Sequence, residues 1–294
     1  MAKSLLDHIS DAEKKGVALG HFNISDPTAL RAIVGVAKEF NIPVIIGVSE
    51  GERDYLGVDE TAALIEAVRL KSGQPVFLNA DHTYSVERIM EAADAGFDSV
   101  IYDGAKLSFE ENVEAARQAV KYVKRKKSRS GKKILVEGEL GYIGTSSKVL
   151  DEVPEGAALS PEAMTSPEEA AKFAKLTGVD LLAPAVGNIH GMLAKGHDPN
   201  LDIPRIKAIR LAAKVPLVLH GGSGTEDRDF TEAIKAGIGI VHINTEIRVA
   251  WRQGLEATLA KNPKEIAPYK ILPGAEAAVA AVVRQRLKLF NGLL

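Results

Sequence analysis

A single α/β domain folded as a closed (β/α)8 barrel of the TIM type, with an extra C-terminal helix, is the architecture this sequence predicts. Three observations carry it. Eight short apolar runs rich in β-branched residues recur along the 294 residues. Segments with apolar residues at helical spacing separate them. The 46% hydrophobic content shows no break along the chain, which suits one large core over residues 1–294. Near-continuous apolar strands alternating with helices indicate a parallel sheet covered by helices. Eight such units in under 300 residues favour a closed barrel over an open sheet.

The predicted strands are 17–23, 43–48, 75–80, 98–102, 133–139, 179–185, 215–220 and 237–244. Between the first two, Thr28-Ala29-Leu30, Ile33-Val34 and Val36-Ala37 repeat at helical spacing, and Val86, Ile89-Met90 and Ala92-Ala93 do so after the third. Ser25-Asp26-Pro27 and Ser166-Pro167-Glu168-Glu169 are helix starts, each with proline in the first turn. Gly96, Gly178 and Gly237 stand where a helix hands over to a strand. Residues 141–166 form a connection rich in Ser, Gly and charge, long enough to be a lid or binding segment. An Ala-rich helix is expected over about 275–290, packed on the barrel or on a partner subunit.

Composition removes several function classes. Lys plus Arg number 37 against 39 Asp plus Glu, for a net charge of -2, so neither nucleic acid nor a membrane surface is indicated as partner. The basic run 121–129 lies at the end of a helical pattern and reads as a solvated helix end. Without cysteine there is no disulfide and no thiolate nucleophile or ligand, so a transition-metal site must use His, Asp and Glu. No apolar stretch approaches the ~18 residues of a membrane span. The N-terminus, Met1 to Asp7, lacks a signal-peptide apolar region, and a cytoplasmic location is expected.

Active sites of such barrels form at the C-terminal strand ends. Here the runs end in Asn23, Ser49-Glu50, Asp81-His82, Asp103, Glu137 and Glu139, Asn188-Ile189-His190-Gly191, His220-Gly221-Gly222-Ser223-Gly224 and His242-Ile243-Asn244-Thr245. A lone histidine is more often a core or surface residue. Three of the seven histidines, however, His82, His190 and His220, end three different strands, and three converging imidazoles with an open position make a catalytic metal site. Cobalt or manganese would suit such ligands as well as zinc. His8 and His197 read as surface residues, and His21 has no evident role. The turn after His220 can wrap a phosphate with backbone N–H groups and the Ser223 hydroxyl, and barrels often hold phosphate after strands seven and eight. Asn244 and Thr245 add polar groups there. Asp81 is either a proton-transfer group beside the metal or a cap on the next helix.

These residues, from Gly20-His21-Phe22-Asn23 through Leu78-Asn79-Ala80-Asp81-His82, Tyr102-Asp103-Gly104 and Val136-Glu137-Gly138-Glu139-Leu140-Gly141 to Val186-Gly187-Asn188-Ile189-His190-Gly191 and Val218-Leu219-His220-Gly221-Gly222-Ser223-Gly224, resemble the class II fructose-bisphosphate and tagatose-bisphosphate aldolases over nearly the whole chain. The resemblance implies reversible cleavage of fructose 1,6-bisphosphate or tagatose 1,6-bisphosphate to dihydroxyacetone phosphate and glyceraldehyde 3-phosphate. It implies one catalytic Zn2+ on His82, His190 and His220, with Glu139 as an alternative ligand and a monovalent cation as an optional second ion. Asp81 would move the proton at the hydroxyl of the bond being cleaved. Gly191, Gly221, Gly222, Ser223 and Thr245 would hold the phosphate, with Asn23, Ser49, His242 and Asn244 also binding substrate. A homodimer or homotetramer is expected.

The chain departs from the family's pattern at three points. Aligned on Thr245, the family's Asn position holds His242. Ser147 stands where a mobile-loop glutamate is expected, leaving Asp151, Glu152 or Glu155 as substitutes. For the arginine that grips a distal phosphate near the C-terminus, only Lys270 offers itself. A ketose-phosphate C4-epimerase using the same retro-aldol chemistry and a non-catalytic metal- and sugar-phosphate-binding relative are the competing readings.

Overall fold

The structure, a computed structural model, describes residues 3–145, 147–195 and 198–293, so His197 lies outside the described residues. Eight strands close a parallel barrel: β1 (Leu19–Asn23), β2 (Val44–Val48), β3 (Val76–Thr83), β4 (Ser99–Tyr102), β5 (Leu135–Leu140), β7 (Leu181–Pro184), β9 (Leu217–Leu219) and β10 (Ile238–Ile243). Two further strands, β6 (Val149–Leu150) and β8 (Met192–Leu193), pair in parallel above it. They fasten the 141–166 connection to the segment after His190.

The helices begin as the sequence dictates. In α2 (Pro27–Phe40), Asp26 caps the amide of Ala29 with proline in the first turn, and in α7 (Pro167–Thr177) Ser166 and Glu169 form a capping box. The others are α1 (Leu5–Lys15), α3 (Glu50–Leu56), α4 (Val58–Ser72), α5 (Val86–Asp94), α6 (Phe109–Val123), α8 (Ile203–Ala213), α9 (Asp227–Ala236), α10 (Thr245–Lys261), α11 (Pro268–Ile271) and α12 (Pro273–Phe290). The C-terminal helix α12 is part of the ring, lying against β1 between α9 and α2, with α10 packed upon it. Ala275, Val279, Val283, Leu287 and Phe290 bury its inner stripe. Among the described residues no helix is long and apolar enough to cross a membrane.

Inside the barrel the two-residue strand period builds layers. Leu19, Ile45, Phe77, Leu135, Leu181, Val218 and Ile240 form an apolar floor, plugged from below by Leu5, Ile9 and Ala12 of α1. His8 of that helix is half-buried, its ring 5.4 Å from Phe77. Two residues further along the strands the interior turns polar, with His21, Asn79, Glu137, His220 and His242. Gly47 is what makes room there, because a Cβ would lie 2.1 Å from the His21 ring.

Leu287 is fully buried against the barrel wall beside Gly20. Leu287→Ala is expected to lower unfolding stability by about 2–5 kcal/mol, the cost of a large-to-small change in a packed core, as read by chemical denaturation.

Candidate active site

The apolar walls bring most of the predicted residues to one cleft. Asn23, Asp81, His82, Ser147, His190, Gly191, Gly221, Ser223, His242, Asn244 and Thr245 line it. Strand alternation points Asp81 inward, and the next residue would ordinarily point out. It does not, because the β3–β4 register shifts between Ala80 and Thr83, and His82 adopts a positive φ of 31°. This bulge lets two consecutive residues face the same cleft. Arg53, fully buried, clamps it: its guanidinium donates to the carbonyls of Val48 (2.7 Å) and Asp81 (3.1 Å) and to the Thr83 hydroxyl (3.0 Å).

The ligating atoms of His82, His190 and His220 lie within 4.8 Å of one another. His82 Nδ1 faces Asp103 at 2.9 Å, and His220 Nε2 faces Glu137 at 2.7 Å. The inner nitrogens, His82 Nε2 and His220 Nδ1, lie 3.0 Å apart, a spacing at which they share one proton or face one metal ion. His190 Nε2 is buried with no hydrogen-bond partner among the described residues, a third donor awaiting the same ion. The residues therefore fit a three-histidine metal centre. Glu139 faces the other side of His82, its Oε2 3.4 Å from Nδ1, and joins His82 and Asp103 in a separate possible ligand group.

Without an ion, protons do the balancing. Burial opposes a charge on His82, but Asp81, Asp103 and Glu139 outweigh it and raise its pKa to about 10. Burial pushes Glu137 up to about 8, and burial beside Asp103 holds Glu139 well above the carboxylate range. Burial also works against ionised Asp81, yet His82 and His242 keep it well below its ordinary value. Burial and the His82 charge lower His220 to about 3.

Behind Asp81 lies a second imidazole pair. His21 and His242 stack with centroids 3.4 Å apart and planes 3° apart; His242 Nδ1 is 3.4 Å from Asp81 Oδ1, and His21 Nε2 hydrogen-bonds Asn79 Oδ1 at 3.0 Å. His242 and Asn244 are both in the cleft, being two residues apart on one inward face. Asn23 donates to Asp81 (2.9 Å) and to Glu52 (2.8 Å).

On the other side, Gly191, Gly221, Ser223 and Thr245 form a cradle at the start of α10. Gly221 has φ of 61°, and a Cβ there would lie 2.1 Å from the Ile189 carbonyl oxygen. Gly222 stands behind the cradle and donates its N–H to the His242 carbonyl (3.1 Å). Ser49, the N-cap of α3, lines an outer recess with Glu50, Ser147 and Arg248. Asp151, Glu152 and Glu155 are exposed and line neither space. Lys270 pairs with Glu265 on α11 and is likewise remote. Lys106 sits over the Tyr142 ring in a neighbouring recess beside Asp103.

Sequence reasoning did not assign roles to Asp103, Glu137, Glu52 and Arg248. Inward alternation from Leu135 marks Glu137; nothing local marks Arg248.

Because His82 must lose its proton to offer Nε2, metal loading displaces a proton below pH 10. Apparent metal affinity is expected to rise about tenfold per pH unit between about pH 6 and 8, measured by chelator competition on the ion-free protein. An affinity independent of pH would contradict the balance described.

Comparison with known proteins agrees with this geometry. The sequence profile of the family described as fructose-bisphosphate aldolase class-II matches residues 3–292. The chain is 36% identical over 286 residues to the fructose-bisphosphate aldolase of Geobacillus stearothermophilus, covering 95% of this chain and 94% of the relative. It is 35% identical to a 6-phospho-5-dehydro-2-deoxy-D-gluconate aldolase of Shouchella clausii, covering 96% and 92%. The crystal structure of the YdjI aldolase from Escherichia coli K12 superposes with a TM-score of 0.80 at 30% identity, over 99% of this chain and 97% of that one. The chain thus belongs to the class II fructose-bisphosphate aldolase family and is an aldolase, a metal-dependent carbon–carbon lyase.

Proposed function

We propose that this aldolase reversibly splits a ketose 1-phosphate or 1,6-bisphosphate, with fructose 1,6-bisphosphate and tagatose 1,6-bisphosphate as the bisphosphate candidates, into dihydroxyacetone phosphate and an aldehyde. Zinc is the ion best suited to the three imidazoles. The observation that carries the reading is the convergence of His82, His190 and His220, whose ligand atoms lie within 4.8 Å of one another, beside a glycine cradle and a buried, ionised Asp81.

A metal ion held by His82, His190 and His220 would supply Lewis acidity for the ketone oxygen and for the negative charge left when the bond breaks. The protein's residues do the rest. The cradle and the α10 N-terminus, with its positive dipole end, take the phosphate of the three-carbon ketone half. That places the scissile bond toward Asp81. Its Oδ1, 3.4 Å from His242 Nδ1, is buried with no hydrogen-bond partner among the described residues, and its low pKa keeps it ready to accept the proton of the hydroxyl next to that bond. Asn23 fixes the carboxylate by donating to Oδ2. In condensation the same oxygen returns the proton to the aldehyde oxygen. His242 stacks on His21 and presses against Asp81, where it orients that carboxylate.

The direct test is a coupled assay for dihydroxyacetone phosphate release from fructose 1,6-bisphosphate, tagatose 1,6-bisphosphate and fructose 1-phosphate. Metal-dependent release from at least one is expected, and none from any would sink the proposal. His220→Ala should lose bound metal and turnover together. Asp81→Ala should keep its metal while turnover falls about a hundredfold or more, the scale of a proton-transfer group; metal content and kcat on one preparation separate the two.

A further inference from the structure

The C-terminal helix carries one residue that its packing does not explain. Val279, Val283, Leu287 and Phe290 repeat at helical spacing along the buried face of α12, and Arg286 falls on the same face, 9% exposed. Arginine is almost never buried unless it is paired. Here the guanidinium is paired on two edges. Nε and Nη2 donate to the two carboxylate oxygens of Glu246 on α10 (2.8 and 2.7 Å), and Nη1 donates to Asp227 at the start of α9 (2.7 Å). The Phe230 ring lies against its face, 5.1 Å from Cζ.

Glu246 connects this cation to the phosphate cradle. It follows Thr245 directly, and its backbone N–H donates to the Ser223 hydroxyl oxygen (3.2 Å), which leaves the hydroxyl proton free for a ligand. Its carboxylate accepts the Gly224 N–H (3.2 Å). A second acid stands against the same turn. A Cβ on Gly224 would lie 2.3 Å from Asp198 Oδ2, which is buried without a hydrogen-bond partner among the described residues. Carboxylates therefore back the place where a phosphate is to bind. A dianion seated in front of them is repelled unless a cation offsets their charge. Helix α12 supplies that cation from a position that does not line the cleft.

We propose that Arg286 is a positioning residue for the phosphate of the three-carbon ketone: it neutralises Glu246 and holds that side chain against the Gly224 amide, so that the cradle keeps its shape and accepts a dianion. This rests on the aldolase reading above, because it concerns how that substrate's phosphate is held.

The experiment is steady-state condensation of dihydroxyacetone phosphate with glyceraldehyde 3-phosphate on the metal-loaded enzyme, with KM measured for each substrate separately. Arg286→Gln should raise KM for dihydroxyacetone phosphate about tenfold or more, the scale of one unbalanced charge close to an anion. KM for the aldehyde, kcat and metal content should each stay within about threefold of the original. Glu246→Gln removes the acid and keeps the cation, and should lower KM for dihydroxyacetone phosphate. Joining the two substitutions should return that KM to within about threefold of the original, because no uncompensated charge is left between them. A purely structural role for Arg286 would leave the double variant at least as impaired as Arg286→Gln. The inference is overturned by an Arg286→Gln enzyme with an unchanged KM for dihydroxyacetone phosphate, by equal rises in both KM values, or by a double variant no better than the single one. If Arg286→Gln does not fold, Glu246→Gln decides alone, and a KM for dihydroxyacetone phosphate above the original overturns the inference. These results leave the aldolase reading standing, whereas no condensation by the unaltered enzyme defeats that reading itself.

Discussion

Two imidazole nitrogens, His82 Nε2 and His220 Nδ1, held 3.0 Å apart in a buried cleft are the constraint on which the rest of this site depends. At that distance they share one proton or face one metal ion, and their partners keep them from turning away. Asp103 stands behind one ring and Glu137 behind the other, so rotating either would break a short bond to a carboxylate. Those carboxylates also leave the inner nitrogens turned toward each other. In the ion-free site the charge is carried by a proton on His82, whose pKa is raised to about 10.

Holding so many ionisable groups in one place is costly unless their charges offset. The barrel manages this by layering. An apolar floor of Leu19, Ile45, Phe77, Leu135, Leu181, Val218 and Ile240 supplies the packing that closes the ring. The charged layer lies above it, below the cleft that Gly191 and the start of α10 help to line. Arg53 illustrates the economy of the design. Fully buried, it accepts its desolvation in order to hold carbonyls at the ends of β2 and β3, and those carbonyls frame the bulge that turns His82 inward. A fully buried residue that does not line the cleft thus sets the position of His82.

The two sides of the cleft present different chemistry. At the cradle, glycines and the start of a seventeen-residue helix present backbone dipoles to an anion. At the outer recess, side chains present a guanidinium already committed to a carboxylate. Relatives of similar identity carry the names of aldolases for different sugar phosphates.

Much of this was legible from residues alone. Eight apolar runs with helices between them specify the barrel, and polar residues at the run ends specify where the chemistry lies, because a buried parallel strand has no other reason to end in His, Asp or Asn. Period-two alternation extends the reading to Glu137 and His242, each inward by parity. Other features depend on contacts across the chain. His82 is out of step with its strand, and only the bulge and its Arg53 clamp bring it to the cleft. The loop acids Asp151, Glu152 and Glu155 looked like replacements for a missing base, yet β6 pairs with β8 in a way that leaves them outside. Arg248 and Glu52 meet across 196 residues, on helices whose local patterns are ordinary. The sequence by itself thus determined the fold and the strand ends at which His82, His190, His220 and the glycine turn stand, because strand periodicity and local backbone chemistry act over a few residues. Which acids reach the cleft, how His82 faces inward and which side chains meet around the outer recess were decided by tertiary structure, because those depend on how far-separated segments meet when the ring closes.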